Sequence, residues 1–441
     1  MSKNKLKYDK NSVQSIFEYA LKLTGKSLAE STHLPEDVAN SRNRGDLGSL
    51  VEKYYFEHIP PNNHDPDFKE AGLELKTTGV LALSTNYQAK ERLVLTMINY
   101  ESIVSESWED STLKNKCQLM LILFYLYSKD IAVIDRQFVK VLLYAIPTSD
   151  IPQIRRDWEL IKQSVLDGKA HELSEGDTFY LGACRKGSGG EKEALRKQPF
   201  SSELAKARAF SFKQSYINKI LVSHDEKESS INVGKETTIE DATKLRFARF
   251  IGKTVDDISK ELNYPKKSAN SKGFLKEMSN RILAQNGQTL SQLEKAGIEM
   301  KTIRLKKSGK PRESMSFPGF KYLEIVNQDW EDSRFFEKLE NKFLFIIFQE
   351  GDNGSETLLN AVYWNMPYVD RLEAKRVWEE TKRRVSFDAS KLPGISESRV
   401  AHVRPKARNG SDKLLTPQGD MQVKKCFWLN SSYISEIISG F

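Results

Sequence analysis

Residues 66–77 of the chain, which read PDFKEAGLELKT, decide the interpretation of its fold and its chemistry. In the last five of these residues apolar and polar side chains alternate, which is the period of a strand with one buried face. Glu74 and Lys76 therefore project from the same face, and Asp67 precedes them across a polar, proline-containing turn. Two carboxylates and an ammonium group in one place are unfavourable unless something binds there.

These three side chains suit the metal site of a nuclease. Asp67 and Glu74 carry the hard oxygen ligands that Mg²⁺ prefers, so Mg²⁺ is the predicted cofactor. Lys76 would lie beside an attacking water or a phosphate oxygen, which completes the minimum equipment for metal-assisted phosphodiester hydrolysis. An acid followed by E-x-K also arises by chance in a chain with 29% charged residues, and a solvated strand face is the alternative.

The composition restricts the class of protein. A chain of 441 residues is long enough for two domains, and 39% hydrophobic content with 22 Phe and 16 Tyr excludes a disordered protein. The net charge of +8 favours polyanionic partners, although a merely soluble basic protein fits it equally well.

Cysteine and histidine usage indicates a protein of the reducing cytoplasm. Cys117, Cys184 and Cys426 are odd in number and far apart, which disfavours a disulfide framework. The six histidines form no H-E-x-x-H motif or paired Cys/His array, which argues against a zinc hydrolase. Residues 1–10 lack a signal-peptide core, and the longest apolar run, 119–127, is too short for a membrane span.

The sequence contains an internal repeat. The spacing between matching residues falls steadily from 227 (Gly25 to Gly252) to 217 (Tyr216 to Tyr433), as expected for a duplication with small deletions. The best matching segments are AGLELKT at 71–77 with AGIEMKT at 296–302, WEDS at 108–111 with WEDS at 330–333, and FSFKQSYINKIL at 210–221 with FWLNSSYISEII at 427–438.

The repeat predicts two domains, 1–223 and 241–441, joined by a polar linker at 224–240 that lacks any apolar period. Each domain is predicted to be α/β, a mixed sheet flanked by helices. Strands are predicted near 73–77, 92–98 and 119–127, and helices from Val13, from Leu47, and from Ile154 to a stop at Gly168.

The two copies differ at the first acid of the motif. Gln292 aligns with Asp67, whereas Glu299 and Lys301 persist in the second copy. A neutral amide is a poorer Mg²⁺ ligand than a carboxylate, so the second half is predicted to be non-catalytic, with Glu299 and Lys301 as relics of the fold.

The first half resembles the MutH-type branch of the PD-(D/E)xK nucleases, and the whole duplicated chain is similar to the Sau-type restriction endonucleases that cut at GATC. The resemblance implies two tandem restriction-endonuclease-like domains, of which the second is catalytically degenerate. The segments that carry it are GSLVE at 48–52, the acid–acid–lysine block at 67–76, KERLVL at 90–95 and GKAHELSEG at 168–176.

The resemblance also implies roles for two further residues. It places Glu52 near the metal site and makes Lys116 an additional active-site lysine, although the residues alone would fit a surface acid and a solvated lysine. In the implied mechanism Asp67 and Glu74 hold Mg²⁺ at the scissile phosphate. Lys76 orients or deprotonates the attacking water, Lys116 offsets developing negative charge, and the product carries a 5′-phosphate.

For DNA reading, the resemblance places a recognition loop at 180–187, where Arg185 and Lys186 are suited to guanine O6 and N7 in the major groove. The second copy reads HVRPK, with Arg404 and Lys406, which is closer to the Arg-Pro-Lys of the MutH pattern. This loop indicates a second DNA-binding site, and a basic surface loop is the alternative.

The sequence therefore predicts a type II restriction endonuclease that acts on double-stranded DNA, with a possible second DNA site per chain serving as effector. A monomer and a DNA-induced dimer are both open, and a cognate methyltransferase is expected as a functional rather than a physical partner. The alternatives are a MutH-like strand-nicking mismatch-repair endonuclease and a non-catalytic DNA-binding protein on the same scaffold.

Overall fold

The computed structural model describes residues 7–39, 47–58, 65–187, 195–223, 238–265, 273–285, 288–352 and 354–441. The chain divides into two compact units. The N-terminal unit comprises residues 1–170, 180–185 and 196–236, and the C-terminal unit comprises 171–179, 186–195 and 237–441. Most of the predicted linker, 224–237, lies outside the described residues. The predicted domain boundaries stay a prediction.

The strands of the N-terminal unit form a mixed sheet, an antiparallel sheet and a hairpin. In chain order they are β1 Glu74–Ala82, β2 Tyr87–Ala89, β3 Leu93–Met97, β4 Leu119–Leu126, β5 Phe138–Ala145, β6 Leu181–Arg185, β7 Leu195–Gln198, β8 Ser201–Lys206 and β9 Arg208–Phe212. The mixed sheet has the order β2-β1-β4-β5, with β1 and β4 parallel. The antiparallel sheet has the order β3-β9-β6, and β7 pairs with β8.

The helices predicted from Val13, from Leu47 and from Ile154 are present, and further helices that the sequence analysis did not predict accompany the strands. The α-helices are α1 Val13–Leu21, α2 Leu28–Ser31, α3 Glu36–Ala39, α4 Leu47–Leu50, α5 Tyr100–Ile103, α6 Thr112–Cys117, α7 Ile151–Leu166 and α8 Gln214–Ser223. A π-helical turn, Val51–Tyr55, follows α4. Short 3-10 turns of this unit are Lys69–Ala71 and Val133–Asp135, whereas Ala170–Glu172 crosses the boundary at 170/171 and Glu175–Asp177 belongs to the C-terminal unit.

The C-terminal unit repeats this arrangement. Its strands are β10 Glu299–Leu305, β11 Met315–Gly319, β12 Phe343–Glu350, β13 Glu356–Trp364, β14 Ala401–Pro405, β15 Lys413–Leu415, β16 Met421–Val423 and β17 Lys425–Leu429. They form the sheets β10-β12-β13, with β10 and β12 parallel, β11-β17-β14, and β15-β16.

The helices of the C-terminal unit also follow the order of the first copy, and among the described residues four α-helices precede β10, as four precede β1. They are α9 Ile239–Ala248, α10 Val255–Glu261, α11 Phe274–Ala284, α12 Gln288–Lys295, α13 Tyr322–Ile325, α14 Arg334–Leu339, α15 Tyr368–Val385 and α16 Ser431–Ser439, with 3-10 turns at Trp330–Asp332 and Ile395–Glu397.

Strand β1 lies in the interior of the N-terminal unit. Leu73 and Leu75 are buried in a core that also contains Phe68, Leu121 and Leu123. The opposite face is covered too, because Glu74 is only 1% exposed. A strand is therefore confirmed at the predicted position, but the prediction of a single buried face is wrong, because Glu74 is buried as well as Leu75. The alternative of a solvated Glu74 is wrong for the same reason.

Two predictions about the sheets are corrected. One mixed sheet was predicted in each half, whereas β3 pairs with β9 and belongs to a second, antiparallel sheet. The predicted recognition loop at 180–187 is mostly strand β6, and HVRPK is mostly strand β14. The reason is that the residues before the basic pair are apolar or small, so they bury and pair with β9 and β17.

Within the described residues, no helix is both long and apolar enough to cross a membrane. The three cysteines are buried, unpaired thiols.

The end of α7 depends on a glycine that cannot be replaced without strain. Gly168 has φ +68°, and a Cβ there would stand 2.6 Å from the Phe200 carbonyl oxygen. Gly25 offers a matched control, with φ +82° and no atom within 4 Å of a Cβ.

We therefore expect Gly168→Ala to destabilise the chain more than Gly25→Ala. Both substitutions incur roughly 1–2 kcal/mol for the left-handed backbone, and Gly168→Ala adds an overpacking cost of about 1–3 kcal/mol. Urea unfolding midpoints of the two variants measure the difference. Equal midpoints would contradict the close contact.

Candidate active site

A tight turn brings the first acid to the start of β1. The Phe68 amide donates to the Leu73 carbonyl (2.9 Å) and the Leu73 amide donates back to the Phe68 carbonyl (3.2 Å). Gly72 closes the turn with φ +63°, a conformation that glycine adopts without a Cβ penalty. Asp67, just before the turn, is thereby held beside Glu74.

The two acids are tied to each other through the backbone. The Asp67 amide donates to Glu74 Oε2 at 3.1 Å, and the Leu75 amide donates to Asp67 Oδ2 at 2.8 Å. Asp67 is 8% exposed and Glu74 is 1% exposed. Both carboxylates are therefore positioned before any ligand arrives.

Two lysines contact one oxygen of Glu74. Lys76 Nζ lies 2.5 Å and Lys116 Nζ lies 3.4 Å from Glu74 Oε1. Burial opposes the charge of Lys76, but Glu74 and Asp67 outweigh it and raise the pKa of Lys76 above its usual value. Lys76 is therefore an ammonium group in this arrangement. Asp67, Glu74, Lys76 and Lys116, four of the predicted residues, thus form one cluster.

The topology explains how Lys116 contacts Glu74, although the two residues are 42 positions apart in the sequence. Helix α6 is capped by the Ser111 side chain and runs directly into β4, so Lys116 stands in its last turn. Glu74 pairs with Met120 of β4 in the parallel register. Two parallel neighbouring strands begin at the same end of the sheet, so the end of α6, just before β4, lies beside the start of β1.

Glu52 and His58 lie on the segment that leads towards Asp67. Helix α4 packs closely on β1, because a Cβ on Gly48 would stand 3.2 Å from Thr77 Oγ1. Glu52 follows in the π-helical turn and is half-buried. The His58 amide donates to the Glu52 carbonyl (2.9 Å), and His58 Nε2 lies 2.5 Å from the Asp67 carbonyl oxygen.

His58 was not predicted from the sequence. Its ring stacks on Phe68 at 4.9 Å between centroids, so it braces the turn that carries Asp67. A single histidine nine positions before an acid gives no sequence signal for this role. Only the fold brings the two together.

The donor set fits a hard divalent cation. Mg²⁺ is commonly held by one or two carboxylates together with water and substrate phosphate oxygens, and Asp67 and Glu74 supply that pair. Asp67 Oδ1 accepts no hydrogen bond from the described residues, which leaves it open to a ligand. Among the residues that the structure describes, no three or more His, Cys, Asp or Glu side chains are grouped closely enough to hold a metal ion.

The C-terminal unit contains a related cluster. Glu299 Oε1 lies 2.7 Å from Lys301 Nζ, and Glu299 Oε2 lies 3.4 Å from Lys338 Nζ. Burial raises the pKa of Glu299, but Lys301 and Lys338 outweigh it and hold that pKa below its usual value. The Glu299 side chain is 30% exposed, so this cluster is more open than that of Glu74. Gln292 lies on α12, where its carbonyl accepts from Ala296 as in a helix.

Lys338 was also missed at the sequence level, although the signal was present. The WEDS segment recurs in both halves, and Lys116 and Lys338 each stand five residues after its serine. The repeat therefore aligns the two lysines.

The predicted DNA-reading residues stand on the antiparallel sheets. Arg185 ends β6 and is half-buried, and Lys186 follows it. Arg404 on β14 is exposed. Lys406 Nζ donates to the Phe317 carbonyl at 2.9 Å.

The strand registers relate these residues. Cys184 pairs with Ala209 of β9, and Arg404 pairs with Cys426 of β17 at the equivalent position. Cys184 is therefore the counterpart of Arg404. Arg185 is the counterpart of Pro405 and projects from the other face of its strand. The role of Arg185 in DNA reading stays a prediction.

Comparison with known proteins agrees with this repeated architecture. A family model described as DNA mismatch repair enzyme MutH matches residues 56–157 and 283–374, one stretch in each copy. The type II restriction enzyme Sau3AI of Staphylococcus aureus is 31% identical over 96% of this chain and 97% of its own length. The chain belongs to this family of MutH-like type II restriction endonucleases.

MutH proteins are similar to only part of this restriction endonuclease. The DNA mismatch repair protein MutH of Serratia proteamaculans is 25% identical over 48% of this chain and 92% of its own length. That of Shewanella woodyi is 25% identical over 45% of the chain and 85% of its own length. One MutH length thus corresponds to about one of the two repeats.

Replacing the buried acid should cost more stability than replacing its exposed counterpart. Glu74→Gln leaves Lys76 and Lys116 charged without their carboxylate, for which we expect a loss of about 1.5–3 kcal/mol. Glu299→Gln removes a more solvated pair and should cost less than about 1 kcal/mol. Urea unfolding of the two variants provides the comparison, and a larger loss for Glu299→Gln would show that the contacts of Glu74 are not stabilising.

Proposed function

We propose that this enzyme makes Mg²⁺-dependent double-strand cuts in DNA at GATC sites and leaves 5′-phosphate ends, acting in the cytoplasm. The observation that supports it is the buried cluster of two backbone-linked carboxylates and two lysines in the N-terminal unit. The GATC specificity comes from the resemblance to the Sau-type enzymes.

Each residue of the cluster has a distinct task in this proposal. Asp67 and Glu74 would hold the cation, which when bound supplies Lewis-acid polarisation of the scissile phosphate and lowers the pKa of a coordinated water. Lys116 offsets negative charge that develops on the phosphate in the transition state. Glu52 would extend the acidic side of the site.

Lys76 has two candidate roles, which are to orient the attacking water and to deprotonate it. Because Glu74 and Asp67 raise its pKa, Lys76 is protonated and can donate hydrogen bonds to water or to a phosphate oxygen. A protonated amine cannot accept the proton of the attacking water. Without a bound cation Lys76 is therefore proposed as a donor to water or to a phosphate oxygen. A cation on Asp67 and Glu74 would act against their effect on Lys76, so orienting and deprotonating the nucleophile both stay in the proposal.

The C-terminal unit is proposed to be non-catalytic and to bind a second DNA site as an effector. Gln292 replaces the first metal-binding acid, so the Glu299 cluster has lost half of the ligand pair. Arg404 and Lys406 are exposed on this unit and carry the Arg-Pro-Lys pattern. Loss of metal ligands with retention of cationic reading residues fits binding without cleavage.

Two alternatives remain distinct from this proposal. A MutH-like mismatch-repair enzyme would nick one strand and depend on partner proteins, and a non-catalytic relative would bind DNA without cutting. The duplication favours restriction over nicking, and the intact acid–lysine cluster speaks against a non-catalytic scaffold.

Incubation of the full-length protein with unmethylated plasmid separates these functions. We expect linear, double-strand-cut product with Mg²⁺ and none with EDTA. In the same assay Asp67→Ala should abolish cleavage while DNA binding persists, because only a metal ligand is removed. Nicked circles from the wild type would support the mismatch-repair alternative. Full cleavage activity of Asp67→Ala would contradict the assignment of Asp67 as a metal ligand.

The effector role makes a separate prediction for the C-terminal reading residues. A second, uncleavable GATC duplex should accelerate cleavage of a target duplex by the wild type, and Arg404→Ala with Lys406→Ala should remove most of that acceleration. Lys413 is an exposed lysine on β15, away from β14, and Lys413→Ala serves as a control for the loss of positive charge. Full acceleration in the double variant would refute the effector assignment.

A further inference from the structure

Arg404 is held against an aromatic ring in the C-terminal unit. Its guanidinium carbon lies 3.8 Å from the ring centroid of Trp428, well within the range of a cation–π contact. Within the described part of the chain, the guanidinium donates no hydrogen bond. One face of the group is therefore covered while its N–H edge stays available.

The pair lies on the face of its sheet opposite the core residues, beside the buried His402 and Cys426. Trp428 pairs with His402, and Arg404 pairs with Cys426, so these side chains share one face. The alternate residues Ala401, Val403, Phe427 and Leu429 face the core. Arg404 is exposed and Trp428 is half-buried, which leaves the stacked guanidinium accessible to a ligand.

The same tryptophan borders a cavity that reaches the second acid–lysine cluster. The cavity has a volume of about 230 Å³, and its lining includes Lys301, Ser316 and Trp428. Ser316 is paired with Trp428 across the sheet. Lys301 and the ring that carries the Arg404 guanidinium therefore border the same cavity.

At the corresponding positions, all of which the structure describes, the N-terminal unit has no equivalent of this stack. The registers place small residues at the corresponding positions, with Gly182 for His402, Cys184 for Arg404, Ala209 for Cys426 and Ser211 for Trp428. The stacked guanidinium is thus specific to the unit that is proposed to bind DNA without cutting it.

We propose that Trp428 is a positioning residue, which holds the Arg404 guanidinium in place for DNA contact by the C-terminal unit. The inference rests on the proposed effector role of that unit. An exposed arginine samples many rotamers and must lose that freedom on binding, whereas a stacked one is already ordered. The planar guanidinium also keeps the edge donors that match guanine O6 and N7 or phosphate oxygens.

Hydrogen–deuterium exchange of the full-length protein during a titration with a GATC duplex, without divalent metal, tests this role. DNA-dependent protection of residues 400–409 reports the C-terminal unit, and that of 181–186 is the internal control in the same sample. In Trp428→Ala the half-saturating DNA concentration for 400–409 should rise about twofold to thirtyfold, the range of a cation–π contact. The value for 181–186 should not change.

Trp428→Phe should restore most of the affinity, because it keeps an aromatic face. In an Arg404→Ala background, Trp428→Ala should add no further loss, since the group that it positions is absent. These variants separate positioning from a general loss of folding, which would lower the protected fraction at saturation without shifting the half-saturating concentration.

Unchanged half-saturation for 400–409 in Trp428→Ala would overturn the positioning role while leaving the effector role intact. Additive losses in the Arg404→Ala background would also overturn it. Absence of DNA-dependent protection at 400–409 in the wild type would overturn both this inference and the effector role. Plasmid cleavage tests the nuclease function independently of either.

Discussion

The contact of Glu74 with two lysines is the interaction on which the N-terminal unit's site depends. A carboxylate that is 1% exposed would be costly without partners. It accepts from the Asp67 amide on one oxygen and meets Lys76 and Lys116 on the other. The turn after Asp67, the strand β1 and the helix α6 must all be in place for these contacts to form. The contacts of Glu74 therefore require the turn, the strand and the helix together.

The C-terminal unit shows what remains when one element of that assembly is lost. Its glutamate still meets two lysines, but Gln292 lies on a helix, and the acid is 30% exposed. A more solvated carboxylate needs fewer protein partners to stay ionised, because water replaces them. In its antiparallel sheet, by contrast, His402, Arg404 and Trp428 share one face. The N-terminal unit has the smaller Gly182, Cys184 and Ser211 at the corresponding positions. The two copies thus keep one backbone arrangement and place their specialised side chains on different surfaces.

The sequence predicted the parts of the site that are local. Asp67, Glu74 and Lys76 lie within one turn and one strand, where the period of two decides which side chains meet. Lys116 needed the resemblance to a known family, because parallel pairing of β1 with β4 is not encoded within any short window. His58 and the opposite orientations of Arg185 and Arg404 escaped prediction for a related reason. Contacts across a turn and registers between distant strands are set by tertiary packing. Tertiary packing also explains why the apolar stretch before Arg185 forms a strand and not the predicted loop.

The parallel pairing of the two central strands has a further evolutionary consequence. Because β10 and β12 start at the same edge, α14 brings Lys338 towards Glu299 just as α6 brings Lys116 towards Glu74. The closeness of the lysine and the glutamate follows from the parallel connection between the two central strands, so it needs no selection for catalysis. In a duplicated gene, a lysine in the helix before the second central strand can be retained for its salt bridge alone. Its persistence among descendants of such a gene would record ancestry rather than activity.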